Sequence, residues 1–259
     1  MLAFRKLIST PRSVHRLLTT KTFYDSQSGG MISVGGSCTL HDVTFAASPV
    51  NEFQDKLQSV LHNPLLESLQ VMRTDSRTLD TITLLKKEDK PMPDIFLKAD
   101  SLPEIHAHKD LNIKVDGYVI AMSTQSSALE KEEHLAMLKE AVDGEKKVRV
   151  MLTTDLSESG TEVIATGNVI GELCDIGASI IILEHHNDHG AVIDADKVRQ
   201  TIEEAFYLDI SGSPINQRLG LMTRDTESMD TAIELGCIHY VTNRDQDQSL
   251  ITRLLKDNQ

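Results

Sequence analysis

The densest chemistry in this chain lies at residues 180–190, Ile-Ile-Ile-Leu-Glu-His-His-Asn-Asp-His-Gly. An apolar β-run ends there, and five possible metal-ligand side chains follow within six positions: Glu184, His185, His186, Asp188 and His189. The C-terminal end of a parallel strand is where active sites collect. Two readings compete. In one, the cluster is a metal centre. In the other it is a polar loop, because histidines on loops are more often solvated or hydrogen-bonded than metallated. Side chains alternate along a strand, so Glu184 and His185 point to opposite sides and only one can face an interior. His186 and His189 converge only if the chain turns sharply, and Asn187-Asp188 and Gly190 permit such a turn.

The elements that must position this segment alternate from about residue 31 onward. Strands are expected at 36–40, 69–72, 95–97, 118–122, 148–152, 180–183, 219–222 and 238–241. Most are short continuous apolar runs, the pattern of strands buried on both faces. Amphipathic helices are expected between them, at 50–61, 131–142, 162–173, 194–208 and 226–235, with a last one at 250–255. Gly177 and Gly236 are natural stops. The stretch between 95 and 118 has room for a short helix at 102–108. Eight β/α units over 31–259 predict an α/β fold, a single-domain (β/α)8 TIM barrel. An open doubly wound sheet would carry a Gly-rich phosphate loop after its first strand, and Gly29-Gly30 and Gly35-Gly36 have neither that spacing nor a following helix. No P-loop, nucleophile elbow or zincin helix occurs.

Residues 1–30 read as a separate leader. Residues 1–24 hold Arg5, Lys6, Arg12, Arg16 and Lys21 with no acid, interleaved with Ser9, Thr10, Ser13, Thr19 and Thr20. Arg-rich, hydroxyl-rich and acid-poor is the composition of a mitochondrial transit peptide, which predicts a matrix or matrix-facing location. No apolar stretch is long enough to predict a transmembrane segment. The formal net charge is −13, and −18 remains once those five positive charges are set aside. A body this acidic repels phosphate backbones and excludes nucleic acid as an expected partner. It also disfavours a coenzyme A ester unless a local basic patch exists. Cys38, Cys174 and Cys237 are widely spaced, match no zinc motif and read as small core side chains. Met72, Met122, Met151 and Met222 lie in or at the ends of expected strands and read as barrel filling.

The second half of the chain resembles the 3-hydroxy-3-methylglutaryl-CoA lyase family of metal-dependent lyase and aldolase TIM barrels. The likeness rests on VRVMLTTDLSESGTEVIATGNVIGELCDIGASIIILEHHNDHG and LGLMTRDTESMDTAIELGCIHYV, with a weaker match around Ser37-Cys38-Thr39-Leu40-His41-Asp42. The resemblance implies a divalent cation at the barrel mouth, held by the Asp of an Arg-Asp-Gly motif after the first strand and by a His-x-His motif after the seventh. It also implies a cysteine in a Gly-rich loop after the eighth. Such a site polarises substrate oxygens and stabilises an enolate.

Carried over residue by residue, Asp42 matches the metal-binding Asp, but His41 and Val43 replace its Arg and Gly. Met222-Thr223-Arg224 stands at the His-x-His position, and the segment after Val241 has neither the Gly-rich loop nor the Cys. The family's Asp-Thr-x-Gly after the sixth strand falls on His185-His186-Asn187-Asp188. A thioether and a guanidinium do not replace two imidazoles around a hard ion. The expected function is therefore a non-catalytic lyase-like barrel in mitochondria, a structural or interaction subunit of a larger assembly, with no cofactor. The alternative is an active carbon–carbon lyase with a rebuilt Mg, Mn or Zn site at Asp42, His185, His186 and His189. A third possibility is a binder of an acyl-CoA or small acid, with Arg224 as the anion anchor.

Overall fold

The computed structural model describes residues 22–24, 31–33, 39–42, 68–71, 94–110, 115–185, 192–207, 215, 218–223, 225–237 and 239–242. A two-stranded antiparallel hairpin comes first, β1 (Thr22–Tyr24) with β2 (Met31–Ser33). The boundary expected at residue 30 lies outside the described residues. Eight parallel strands follow: β3 (Thr39–Asp42), β4 (Ser68–Val71), β5 (Asp94–Lys98), β6 (Gly117–Ser123), β7 (Lys147–Thr154), β8 (Ile180–His185), β9 (Leu219–Met222) and β10 (His239–Thr242). They close into a barrel in the order β10-β3-β4-β5-β6-β7-β8-β9. Every expected strand has its counterpart. The largest displacement is at β3, expected at 36–40.

Five helices lie among the described residues: α1 (Leu102–Asp110), α2 (Ala128–Asp143), α3 (Val163–Ile176), α4 (Ala195–Tyr207) and α5 (Thr226–Glu234). The helices expected at 50–61 and 250–255 lie outside them. Helix α2 opens with a capping box. The Ser127 hydroxyl accepts the Glu130 N–H and the Glu130 carboxylate accepts the Ser127 N–H, so two otherwise orphaned donors are satisfied. Helix α3 ends at Gly177, whose φ of 111° suits a residue without Cβ. At α5, the Asp225 carboxylate accepts the Ser228 N–H at 2.7 Å.

Strand alternation divides the core in two. Ile95, Leu97, Tyr118, Ile120, Val148, Val150, Leu152, Ile181, Leu183, Leu219 and Leu221 pack with helix residues such as Ile105, Leu138, Ile170, Ile202 and Ala232. The opposite faces contribute a smaller cluster without helix residues: Phe96, Val119, Met151, Ile180, Ile182 and Val241, with Met222 against it. That second cluster fills the barrel axis, as the interior layers of such barrels do. Close packing there explains Gly220, where a Cβ would sit 2.3 Å from the His239 carbonyl oxygen and 2.7 Å from Ile182 Cδ1.

Candidate functional site at the barrel mouth

The C-terminal ends of the strands form the mouth. Register aligns Ser123 with Thr153, Thr153 with Glu184, and Glu184 with Met222. Residues in register across a parallel sheet share a face. Glu184 lies on the same face of β8 as Ile180 and Ile182, which belong to the axial cluster, so this row of four looks onto the axis. The row combines two hydroxyls, one carboxyl and one thioether.

Glu184 is half-buried, and desolvation holds its carboxyl above the usual carboxylate range. No described residue hydrogen-bonds to it or forms an ion pair with it. A carboxyl raised in this way holds and gives a proton closer to neutrality than an ordinary one does, which suits proton transfer or binding of a cationic group. Lys98, at the end of β5, is paired with Asp100 at 2.7 Å.

His185 lies on the other face, with Ile181 and Leu183, toward the helices. Its Nδ1 accepts the Leu156 backbone N–H at 3.1 Å, tying the end of β8 to the loop after β7. This bond makes the imidazole a support for that loop, and the strand directs Glu184, not His185, into the mouth. Asp42 is the last residue of β3, in register with Leu69 and Thr242. Strands β3 and β8 are separated around the barrel by β9 and β10. His186, Asp188, His189 and Arg224 lie outside the described residues. Among the described residues, no group of three His, Cys, Asp or Glu side chains is arranged to hold a metal ion.

Below the mouth, the axis holds a residue that sequence reasoning passed over. Arg149 on β7 is fully buried, with its guanidinium carbon 4.4 Å from the centroid of the Phe96 ring. It donates to the Ser68 hydroxyl. Burial lowers its pKa to about 9, and the charge of Asp94 acts in the opposite direction. Asp94 in turn takes an ion pair from Lys147 at the opposite end of the barrel from the mouth. The available signal was the sequence Val148-Arg149-Val150, a charge inside an apolar strand. Cys174 and Cys237 are buried thiols, and burial pushes Cys237 up to about 12, so Cys237 lacks the environment of a nucleophile.

Neither known family models nor curated proteins match the sequence. Solved structures do match the fold. The HMG-CoA lyase from Bacillus subtilis superimposes with a TM-score of 0.63 at 13% identity, over 86% of this chain and 87% of that one. The HMG-CoA lyase from Brucella melitensis gives 0.62 at 10% identity, over 80% and 81%. The hydroxymethylglutaryl-CoA lyase from Pseudomonas aeruginosa gives 0.61 at 15% identity, over 80% and 76%. These likenesses show the fold: the chain is similar in architecture to the HMG-CoA lyase barrels.

Proposed function

We propose that this chain is a non-catalytic lyase-like barrel that works in mitochondria as a structural or interaction subunit of a larger assembly. The observation that carries this reading is Met222. It closes β9 on the axial face beside Glu184, at the strand end where the resemblance would place the first of two imidazoles. A thioether is a soft ligand and does not bind a hard divalent ion in place of imidazole. The described donors at the strand ends, the Glu184 carboxyl and the Ser123 and Thr153 hydroxyls on one row with Asp42 at the end of β3, do not make up the missing pair of imidazoles. The acidic body and the leader composition support a mitochondrial subunit that avoids nucleic acid. No described helix is long and apolar enough to cross a membrane.

Glu184 favours the second reading, an active carbon–carbon lyase with a rebuilt metal site. It is a half-buried carboxyl with a raised pKa, facing the axis of a lyase-like barrel. One set of measurements separates the two. Divalent metal content and cleavage of 3-hydroxy-3-methylglutaryl-CoA are measured on the purified full chain, and native mass is measured from mitochondria. The subunit reading expects substoichiometric metal, no cleavage and a mass well above that of the monomer. Stoichiometric metal together with turnover overturns it, as does a monomer that associates with nothing.

A further inference from the structure

Three large apolar side chains stand out on the described surface: Leu129, Ile164 and Val192, 75%, 65% and 77% exposed. Their placement is not scattered. Leu129 is the second residue of α2, Ile164 is the second residue of α3, and Val192 lies three residues before α4. All three therefore sit at the mouth end of the barrel, at or just before the helix starts that follow β6, β7 and β8. Helix α3 packs against both α2 and α4.

Hydrogen bonds tie these loops into one rim. The Glu162 carboxylate accepts from the Thr124 hydroxyl at 2.6 Å and from the Gln125 side-chain amide at 3.2 Å. The Asp194 N–H donates to the Leu156 carbonyl at 2.8 Å, and Ser157 bridges to Ile193. A rim connected in this way holds its exposed apolar groups in fixed relative positions, as a recognition surface requires.

The same rim is acidic beyond the needs of its helices. Glu130 caps α2 and Asp194 accepts the Lys197 N–H at the start of α4, so those two have local roles. Glu132, Glu133, Glu158 and Asp196 are exposed and make no hydrogen bond or ion pair among the described residues. The described lysines in these helix starts do not balance them. Lys131 is paired with Glu172 at 2.7 Å, and Lys197 reaches Gln200 at 3.4 Å.

We infer that this rim, built on Leu129, Ile164 and Val192 together with exposed carboxylates, is the docking surface for a cationic amphipathic segment of a partner protein. The inference rests on the subunit reading above and names the chemistry of its partner. Charge decides the occupant. A second copy of this chain brings another net −13 and is repelled, as are an anionic lipid surface and a nucleic acid. A helix with Leu on one face and Lys or Arg beside it satisfies both the apolar side chains and the carboxylates.

The test uses the full chain and a synthetic 18-residue Leu/Lys amphipathic helix, with a scrambled peptide of the same composition and a Leu/Glu helix as controls. Binding is followed by fluorescence anisotropy at low and physiological salt. The Leu/Lys helix should bind, the scrambled peptide should bind about tenfold more weakly or worse, and the Leu/Glu helix should not bind. The triple variant L129S/I164S/V192S should weaken binding by about tenfold or more, with an unchanged circular dichroism spectrum and melting midpoint. E133Q/E158Q should weaken it mainly at low salt. Equal binding of the scrambled peptide, or full affinity in the triple variant, overturns the inference and leaves only general charge attraction. The two readings also separate in the native assembly. A triple variant that still enters the high-mass assembly overturns the rim while the subunit reading stands. A wild-type chain found only at monomer mass, yet binding the helix through the rim, does the reverse.

Discussion

The Arg149 guanidinium carbon lies over Phe96, 4.4 Å from the ring centroid, on the barrel axis and without contact with solvent. A cation there is attracted by the negative face of the ring and repelled by the low dielectric around it. Burial lowers the Arg149 pKa to about 9, with the charge of Asp94 acting in the opposite direction, so the charged form is costly to hold here. Substitutions should therefore separate by shape more than by charge. Arg149→Ala empties the axis and should cost about 3–5 kcal/mol of unfolding free energy. Arg149→Met keeps an unbranched stem against Phe96 and removes the buried charge, so it should stay within about 1–2 kcal/mol of wild type. Urea midpoints of the two variants check this. Equal losses would mean that the charge, not the packing, holds the axis together.

The two residues also mark what a sequence can and cannot disclose. Most of the strands were legible because a strand buried on both faces is largely apolar, and runs such as Ile180-Ile181-Ile182-Leu183 leave little else to form. The helix ends were legible through local chemistry, as at Gly177 and Asp225. Arg149 was not, because a long charged side chain inside a strand looks the same in one dimension whether it faces solvent or is buried over a ring from another strand. The mouth was half legible. Alternation shows that Glu184 and His185 diverge, but the face that points inward depends on how β8 pairs with β7 and β9. The hairpin β1–β2 was missed because its strands are three residues each, too short to show a period.

His108 offers a pH-dependent test of the outer layer. It is buried on α1, and its ring stacks on Tyr118 of β6 at 5.7 Å between centroids with 6° between planes. Burial lowers its pKa below 6.5, and Glu104, one turn earlier, partly counters this. A base with a lowered folded pKa binds fewer protons folded than unfolded within the window between the folded pKa and 6.5. Stability therefore rises with pH through that window, is complete above it and is lost on acidification. His108→Phe keeps the stack and removes the proton, so its stability should change less than that of wild type between about pH 5 and pH 7.5. His108→Ala should cost about 2–3 kcal/mol near pH 7.5 and less near pH 5, where wild type has lost part of its own stability. Parallel slopes for wild type and His108→Phe would assign the acid sensitivity to another group.

Gly220 tests whether the axis is as tightly closed as its contacts indicate. An added Cβ meets the His239 carbonyl oxygen at 2.3 Å and the His239 Cβ at 2.6 Å. Both belong to β10, which is paired in register with β9, so neither can withdraw without parting the two strands. Gly220→Ala should destabilise by about 3 kcal/mol, at the upper end of overpacking costs. Amide hydrogen exchange should show the loss first in β9 and β10. A melting midpoint equal to that of wild type would mean that the barrel is looser at this closure than it looks.

Glu184 gives the sharpest reading of the mouth, because its titration and its role can be followed in one variant. Desolvation raises its folded pKa above 4.5. An acid shifted upward binds more protons folded than unfolded between 4.5 and its folded value. Stability from this group therefore falls as pH rises through that window, and the penalty stays constant above it. Glu184→Gln keeps the shape and cannot ionise. It should match wild type near pH 4, where both side chains are neutral, and exceed it slightly near pH 7.5, by a few tenths of a kcal/mol given the partial exposure. Denaturation curves at the two pH values decide the matter. A Glu184→Gln chain that is less stable near pH 7.5 would show that the carboxylate gains a cationic partner in the intact mouth, and attention would pass to Arg224 and to the histidines at 186 and 189.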